Sequence, residues 1–151
     1  LWHLGDVVYD WYDEYAETYV SAKSCLKKIR DLFPLSKFNL IIGNYDEDKL
    51  EILTKYFDNI FYDNKIILNN KNVYLNHYPS KCLKQFCPDD PYNDIYSFAI
   101  TGHIHGLWKV QQRLINVGVD AWHFKPVSEN EIDFYWNAMQ NVYDNNVFPF
   151  K

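Results

Sequence analysis

The chain has 151 residues and a formal net charge of −5, and this length fits one domain with its own buried core. The acidic balance disfavours a protein that binds nucleic acid through a basic face. No apolar run in the sequence has the length of a membrane span. The three cysteines lack metal-finger spacing, which favours free thiols in a reducing compartment. We therefore expect one cytoplasmic domain over residues 1–151 that has no membrane partner.

The first half of the chain combines short strands with helices. Residues 1–5 and 37–42 are apolar runs that precede a glycine, a pattern typical of short buried strands. Residues 11–33 repeat apolar side chains at three- and four-residue steps, which predicts one long helix that ends before Pro34. Residues 46–57 begin with acidic side chains and continue with helical spacing, which predicts a second helix.

The second half is richer in strands. Residues 64–77 predict two strands around an Asn-Lys-Asn turn, and the second strand ends at His77. Residues 78–95 contain three prolines and predict an irregular stretch. "YSFAI" at 96–100, "LWKVQ" and "RLINVGV" predict further strands. A capping box that begins at Ser128 predicts a last helix to about residue 140. The whole pattern predicts an α/β domain.

Side chains that bind metals follow several of these strands. Gly5-Asp6, Gly43-Asn44-Tyr45-Asp46 and Gly102-His103-Ile104-His105 share a glycine after the apolar run, and His77 ends a strand without one. Loops after strand ends are where open α/β sheets collect functional residues.

His103 and His105 are two residues apart, and in an extended segment such side chains point the same way. Together with an aspartate, an asparagine oxygen and a third histidine they form a mixed oxygen and nitrogen donor set. Such a set favours Mn, Fe, Ni or Zn over Ca or Mg, which prefer all-oxygen ligands.

In this order, the motifs "LGDVVYD", "IIGNYDE", "LNHYP" and "ITGHIHG" resemble those of the calcineurin-like metallophosphoesterase family. The family motifs are DxH, GDxxD, GNH(D/E), H and GHxH. The segment "INVGVDAW" at 115–122 is similar to the strand that follows GHxH in small phage-like and bacterial members. The resemblance implies an α/β sandwich of the metallophosphoesterase type, αββα, in which helices flank two mixed sheets and metals bind at strand ends.

The resemblance also implies a role for each candidate ligand. Asp6 would bridge two divalent ions, Asn44 would bind the second ion together with His77 and His103, and His105 would bind the first. The implied cofactors are two ions of Mn, Fe, Ni or Zn. The implied activity is hydrolysis of a phosphodiester or an activated phosphoester through a metal-bound hydroxide, with Asp6, Asn44 and Tyr45 as catalytic residues.

The chain departs from the family pattern at two points. No DxH motif precedes Asp6, and we interpret this as a first strand and loop missing from the chain as given. The alternative is a one-metal variant that recruits His3, which we interpret as a core histidine. Tyr45 replaces the family histidine that assists the leaving group, and a phenol with a pKa of about 10 is a weaker acid than an imidazole at about 6.5. This favours diesters and activated aryl esters over alkyl monoesters.

Two other functions stay open. The chain could keep the fold as an interaction module without turnover, or act as a nuclease if a basic track lies beside the metals. We interpret Asp10 as a helix-entry acid and His123 as a surface or packing residue. Asp46 either orients position 45 or favours the N-terminus of the next helix, and we favour the second interpretation. Candidates for the basic track are Lys81, Lys84, Lys109 and Arg113, and Tyr78, Tyr92, Trp108 and Trp122 are expected in the core.

Overall fold

The computed structural model describes residues 1–7, 11–15, 18–86 and 95–142. The strands are β1 (Trp2–His3), β2 (Trp11–Asp13), β3 (Thr18–Val20), β4 (Asn39–Ile41), β5 (Asn59–Phe61), β6 (Asp63–Leu68), β7 (Lys71–Asn76), β8 (Phe98–Thr101), β9 (Val110–Gln111) and β10 (Leu114–Asn116). The helices are α1 (Ala22–Leu32), α2 (Leu50–Leu53), α3 (Pro79–Lys84) and α4 (Glu129–Val142), with 3-10 turns at Glu47–Lys49 and Val119–Trp122.

Two sheets form the centre of this mixed α/β fold. The smaller sheet is parallel in the order β1-β4-β5, and the larger has the order β6-β7-β8-β10-β9, while β2 and β3 pair as a separate hairpin. In the larger sheet β7, β8 and β10 are parallel, whereas β6 and β9 run antiparallel at its two edges. Because β1 and β4 are parallel neighbours, the loops after them leave the small sheet at the same edge.

Alternation along the strands sorts side chains between layers, since successive strand residues face opposite sides of a sheet. Val73 and Leu75 of β7 lie in the core that also contains Ile41 of the small sheet. Between them, Tyr74 faces the other way and packs with Cys82 of α3. Helix α1 covers the outer face of the small sheet, where residues from the helix and the sheet form a second cluster that includes Leu26, Phe38 and Leu40.

The predicted helix over residues 11–33 is wrong in its first half. Residues 11–13 and 18–20 pair as an antiparallel hairpin, and the helix begins only at Ala22, after Ser21, whose side chain accepts the Ser24 N–H at 3.2 Å. The segment before Ser21 is rich in aromatic and β-branched residues, which fit a pleated strand better than a helix. The helical spacing of apolar side chains over residues 11–33 does not reveal where the hairpin ends and the helix begins.

Other predictions are confirmed or need small corrections. The strands near residues 1–5, 37–42 and 96–100 are present, as is the last helix, where Ser128 and Glu131 form the capping box. The helix predicted over 46–57 is reduced to a 3-10 turn and α2. The hairpin turn is Asn69-Asn70, and both residues have a positive φ. The turn therefore lies earlier in the chain than the predicted Asn-Lys-Asn turn. Helix α3, with Pro79 in its first turn, occupies part of the stretch predicted as irregular.

Within the described ranges, no helix combines the length and the apolar character needed to cross a bilayer. Cys25 and Cys82 are free thiols, and Cys87 lies outside the described residues.

His3, in strand β1 of the small sheet, has an unusual environment. Its ring meets Phe57 edge-on at 6.5 Å between centroids. Within the part of the chain that the structure describes, His3 Nδ1 is the one buried side-chain nitrogen or oxygen without a hydrogen-bond partner. Burial lowers the pKa of His3 below its ordinary value of 6.5, although the nearby carboxylates of Asp46 and Asp6 oppose this shift. His3 is therefore a partly buried histidine whose Nδ1 is shielded from solvent and whose neutral form is favoured by burial.

We expect this histidine to make the fold sensitive to acid. Below pH 6.5 the unfolded chain takes up a proton that the buried ring does not, so the free energy of unfolding falls as pH drops through and below that value. The slope for one such proton is at most about 1.4 kcal/mol per pH unit. Urea unfolding at pH 8.0 and 5.5, with EDTA present, should show a smaller pH-dependent loss in His3→Leu than in the wild type. Equal losses in both proteins would contradict the assignment.

Candidate metal centre

Two glycines allow the strand-end loops to touch. Gly5 has a φ of +87°, and a Cβ built on it would lie 2.3 Å from Nδ1 of His77 and 2.7 Å from the backbone of Gly43. A Cβ on Gly43 would lie 2.3 Å from Oδ1 of Asp6. Contacts this short are not possible for real side chains, so glycine is required where the loops after β1 and β4 meet the end of β7.

A pair of aspartates joins the two loops reciprocally. Asp46 is fully buried, and its Oδ2 accepts the N–H groups of Asp6 at 2.8 Å and Gly43 at 2.9 Å, while Oδ1 accepts the N–H of Val7 at 3.0 Å. In return, Oδ1 of Asp6 accepts the N–H of Tyr45 at 2.9 Å. We call this set of contacts the aspartate clasp.

The clasp adds a role to those predicted for Asp46. The residue lies at the N-cap position of the 3-10 turn that follows it, but its side chain makes no capping hydrogen bond there. Its carboxylate accepts hydrogen bonds from three backbone N–H groups, and these bonds determine where Asp6 lies.

Four of the five predicted ligands converge at this edge of the sheets. Nε2 of His77 lies 3.1 Å from Oδ1 of Asn44, 3.1 Å from Nδ1 of His103 and 3.2 Å from Oδ2 of Asp6. Nδ1 of His103 lies 3.0 Å from the same Asn44 oxygen. Among the described Asp, Glu, His and Cys residues, Asp6, His77 and His103 form the group with ligand atoms close enough to share a metal. His3 does not belong to this group.

These distances are short enough for the atoms to share one cation. Ligand atoms bound at about 2.1 Å to one ion lie about 3.0 Å apart along an octahedral edge and about 3.4 Å apart in a tetrahedral site. The observed separations of 3.0–3.2 Å lie within this range.

The protonation of the cluster leads to the same conclusion. Nδ1 of His77 lies 2.6 Å from the carbonyl oxygen of Leu4, which only accepts, so this nitrogen carries the ring proton. In a ring that carries its one proton on Nδ1, Nε2 of His77 presents a lone pair to the oxygens of Asp6 and Asn44, which are acceptors too. Burial, and next the neighbouring His77, lower the pKa of His103, which disfavours an imidazolium there. A bound cation would satisfy these converging lone pairs.

Three of the eight non-glycine residues with positive φ in the described part of the chain lie in these strand-end loops. Asp6, His103 and His105 have φ values of 54°, 71° and 50°, in a region that costs a non-glycine residue about 1–2 kcal/mol. The expectation that His103 and His105 lie in an extended segment and point the same way is therefore wrong. Both lie in a left-handed turn conformation, and their side chains diverge to different partners.

His105 is not part of the four-residue cluster. Its side chain is 79% exposed, and Nδ1 lies 3.0 Å from Oδ2 of Asp120. Both residues nevertheless line the same cleft as Asp6, His77 and His103, a cleft of about 690 Å³. The rest of the lining is largely apolar and includes Trp2, Ile66, Leu68, Ile100, Val117, Val127 and Ile132.

Two tyrosines adjoin the ligands. Tyr45 is 51% exposed, although its N–H belongs to the aspartate clasp. Tyr78, which was expected in the core, instead packs against the rings of His77 and His103, with centroids 4.8 and 5.0 Å away. Tyr78 therefore forms a wall of the cluster. Trp122 is buried in the core as expected.

The remaining candidates fall elsewhere. His123 is exposed, as expected for a surface residue, and Asp10 and Tyr92 lie outside the described residues. The amine of Lys81 lies over Tyr78, that of Lys109 lies over Trp122, and the guanidinium of Arg113 bonds the carbonyls of Tyr96 and Ser97.

The comparisons with known proteins support the fold without supplying an activity. No protein-family model matches the chain, and no curated protein matches it. The chain is similar to a crystal structure of a protein of unknown function from Aquifex aeolicus, with 27% sequence identity and a TM-score of 0.58, over 89% of this chain and 74% of that chain. The α/β arrangement thus has a solved counterpart.

We expect the aspartate clasp to control metal affinity. Asp46→Asn replaces one acceptor oxygen by an NH₂ group that faces a backbone N–H, which should lower the free energy of unfolding by about 1–3 kcal/mol. Since it also displaces Asp6, it should weaken Mn²⁺ binding about 10–100-fold, as is typical for partners of metal ligands. Urea unfolding and titration calorimetry measure the two effects.

Asp48→Asn is the matched control, because Asp48 is two residues away and its side chain is 79% exposed beside Lys49. It should leave both quantities near the wild-type values. Wild-type Mn²⁺ affinity in a folded Asp46→Asn protein would contradict the role assigned to the clasp.

Proposed function

We propose that the protein is a metal-dependent phosphoesterase of the calcineurin-like metallophosphoesterase type, acting on a phosphodiester or an activated phosphoester. The observation that carries the proposal is the convergence of Asp6, Asn44, His77 and His103, whose ligand atoms lie 3.0–3.2 Å apart. These residues come from four loops distant in sequence. Motif order along the chain supports the same family, because each motif contributes at least one group to the cluster.

We also propose that the mixed α/β fold is the αββα sandwich of that family. The packing of α1 on the small sheet and of α3 on the large sheet supports this, with a shared core between the two sheets. The candidate ligands follow β1, β4, β7 and β8, and strand-end loops are the usual place for a site in such folds.

The donor set defines the metal. One carboxylate oxygen, one amide oxygen and two imidazole nitrogens suit Mn, Fe, Ni or Zn better than Ca or Mg. His105 would contribute to a second ion, so the proposed cofactor is a pair of divalent ions. Bound ions would supply an activated water nucleophile and offset the negative charge of the phosphate.

The residues of the chain would divide the remaining tasks. Asp6, held by the clasp, would keep its carboxylate directed at the ions, and Asn44 would hold its amide oxygen beside His77. The half-exposed Tyr45 would donate a hydrogen bond to the substrate instead of a full proton. An activated ester needs less help from an acid than an alkyl monoester does, which supports the substrate class.

The direct test is hydrolysis of bis(p-nitrophenyl) phosphate with Mn²⁺ or Ni²⁺. Asp6→Ala and His103→Asn should each lower kcat/KM by more than about 100-fold, because even outer partners of metal ligands are worth 10–100-fold. His123→Asn is the matched control, since His123 is exposed and also has a positive φ of 57°. It should retain wild-type activity.

Metal-loaded wild type without turnover would instead support the second candidate, an interaction module built on the same fold. The specific observation that favours this candidate is Tyr45 in place of the family histidine. Turnover that is equal in wild type and His103→Asn would contradict the site assignment.

A nuclease is less well supported. The net charge is −5, and Lys81, Lys109 and Arg113 contact aromatic rings or backbone carbonyls. A steep loss of binding to nucleic acid with rising salt would favour it.

We expect Tyr45→His to change substrate preference. An imidazole with a pKa nearer neutrality is the better general acid, so the substitution should raise kcat/KM more for a phenyl ester than for a p-nitrophenyl ester, whose leaving group needs no proton. The ratio of the two values should rise about tenfold or more relative to wild type. Tyr45→Phe controls for the loss of the phenol. Equal changes for both esters would show that position 45 does not assist the leaving group.

A further inference from the structure

His105 and Asp120 form a polar pair in the cleft, separate from the four-residue cluster. Nδ1 of His105 and Oδ2 of Asp120 are 3.0 Å apart. A carboxylate accepts hydrogen bonds only, so in a neutral ring the proton lies on Nδ1. Nε2 of His105 is then the nitrogen with the lone pair.

The backbone segments that carry this pair are hydrogen-bonded to one buried residue. Asn116, at the end of β10, is fully buried, and its Nδ2 donates to the carbonyl oxygens of His105 at 2.7 Å and Trp108 at 2.8 Å. Its Oδ1 accepts the N–H of Gly118 at 2.9 Å, and its carbonyl accepts Nε1–H of Trp122 at 2.6 Å.

Asn116 therefore ties the loop that carries His105 to the 3-10 turn that carries Asp120. The pair is thus held in position by the backbone on both sides, rather than by a chance meeting of exposed side chains.

His77 shows the same arrangement inside the cluster. Its Nδ1 donates to the carbonyl of Leu4, and its Nε2 faces the other ligands. Ligating histidines commonly donate their second ring N–H to a carboxylate or a carbonyl, which fixes the tautomer and the orientation of the ring. For His105, the carboxylate of Asp120 occupies the position that the Leu4 carbonyl occupies for His77.

We propose that Asp120 is a positioning residue that keeps the proton of His105 on Nδ1 and leaves Nε2 to bind the second cation of the cleft. The inference rests on the proposed function, because it presumes that the cleft binds metal. Nothing in the motif pattern assigns a role to Asp120, which follows Gly118 and Val119 in the segment after β10. Its effect on chemistry would be exerted through His105.

The first experiment is a Mn²⁺ titration by calorimetry. Wild type should bind two equivalents. Asp120→Ala should weaken the second equivalent about 10–100-fold and leave the first unchanged. Asp120→Asn should fall between these proteins, because its amide oxygen still accepts the Nδ1 proton. Glu129→Gln, which alters another carboxyl group in the lining of the cleft, is the matched control and should bind as wild type does.

The second experiment needs no metal. ¹⁵N NMR of histidine-labelled, metal-free protein at pH 8 should show His105 as the Nδ1–H tautomer in wild type and a mixture of tautomers in Asp120→Ala. A wild-type His105 that carries its proton on Nε2 would overturn the inference. So would two equivalents of Mn²⁺ bound with unchanged affinity in Asp120→Ala, or one equivalent in wild type that the substitution does not affect.

Failure of the proposed function has a different signature. A wild type that binds no Mn²⁺ and hydrolyses no bis(p-nitrophenyl) phosphate contradicts the enzyme, and with it the presence of a second cation. If metal binds in two equivalents and turnover is absent, the activity fails while the role of Asp120 can still be supported.

Discussion

The candidate site depends on the hydrogen bonds that the carboxylate of Asp46 accepts. It is fully buried and accepts the N–H groups of Asp6, Val7 and Gly43, so it binds the loop after β1 to the loop after β4. A buried carboxylate is stable only when its oxygens are satisfied, and here backbone donors satisfy them. Because backbone groups cannot rotate away as side chains do, the position of Asp6 follows from the fold itself.

The clasp also explains how the domain tolerates a cluster of acceptors. Asp6, Asn44 and the lone pair of His77 face one another at about 3 Å, while burial disfavours a charged His103. Positive φ values at Asp6 and His103 add strain. The aspartate clasp holds Asp6, and the Leu4 carbonyl orients the ring of His77. The arrangement has the character of a preorganised ligand set, which a bound cation would complete.

The positions of side chains after strand ends predicted four of the residues that meet. Asp6 and Asn44 follow the parallel neighbours β1 and β4 of the small sheet, and His77 and His103 follow the parallel neighbours β7 and β8 of the large sheet. Apolar runs in the sequence located these strands. The position of His105 outside the four-residue cluster was not predictable, because it depends on a positive backbone φ that residue spacing does not indicate. From the sequence, Asp46 is interpreted as favouring the N-terminus of the next helix, and two of its three donors, Asp6 and Val7, lie 40 and 39 residues away in sequence. The helix prediction for residues 11–20 was wrong for a related reason. The spacing of the aromatic residues fits a helix, but pairing between residues 11–13 and 18–20 makes these segments strands.

The most direct test of this metal site is a crystal structure of the protein grown with Mn²⁺, with anomalous scattering used to locate the ion. We expect a manganese peak about 2.2 Å from Oδ2 of Asp6, Oδ1 of Asn44, Nε2 of His77 and Nδ1 of His103, with the Asp46 contacts unchanged. A manganese peak away from these four atoms, or no peak with the four side chains turned apart, would contradict it.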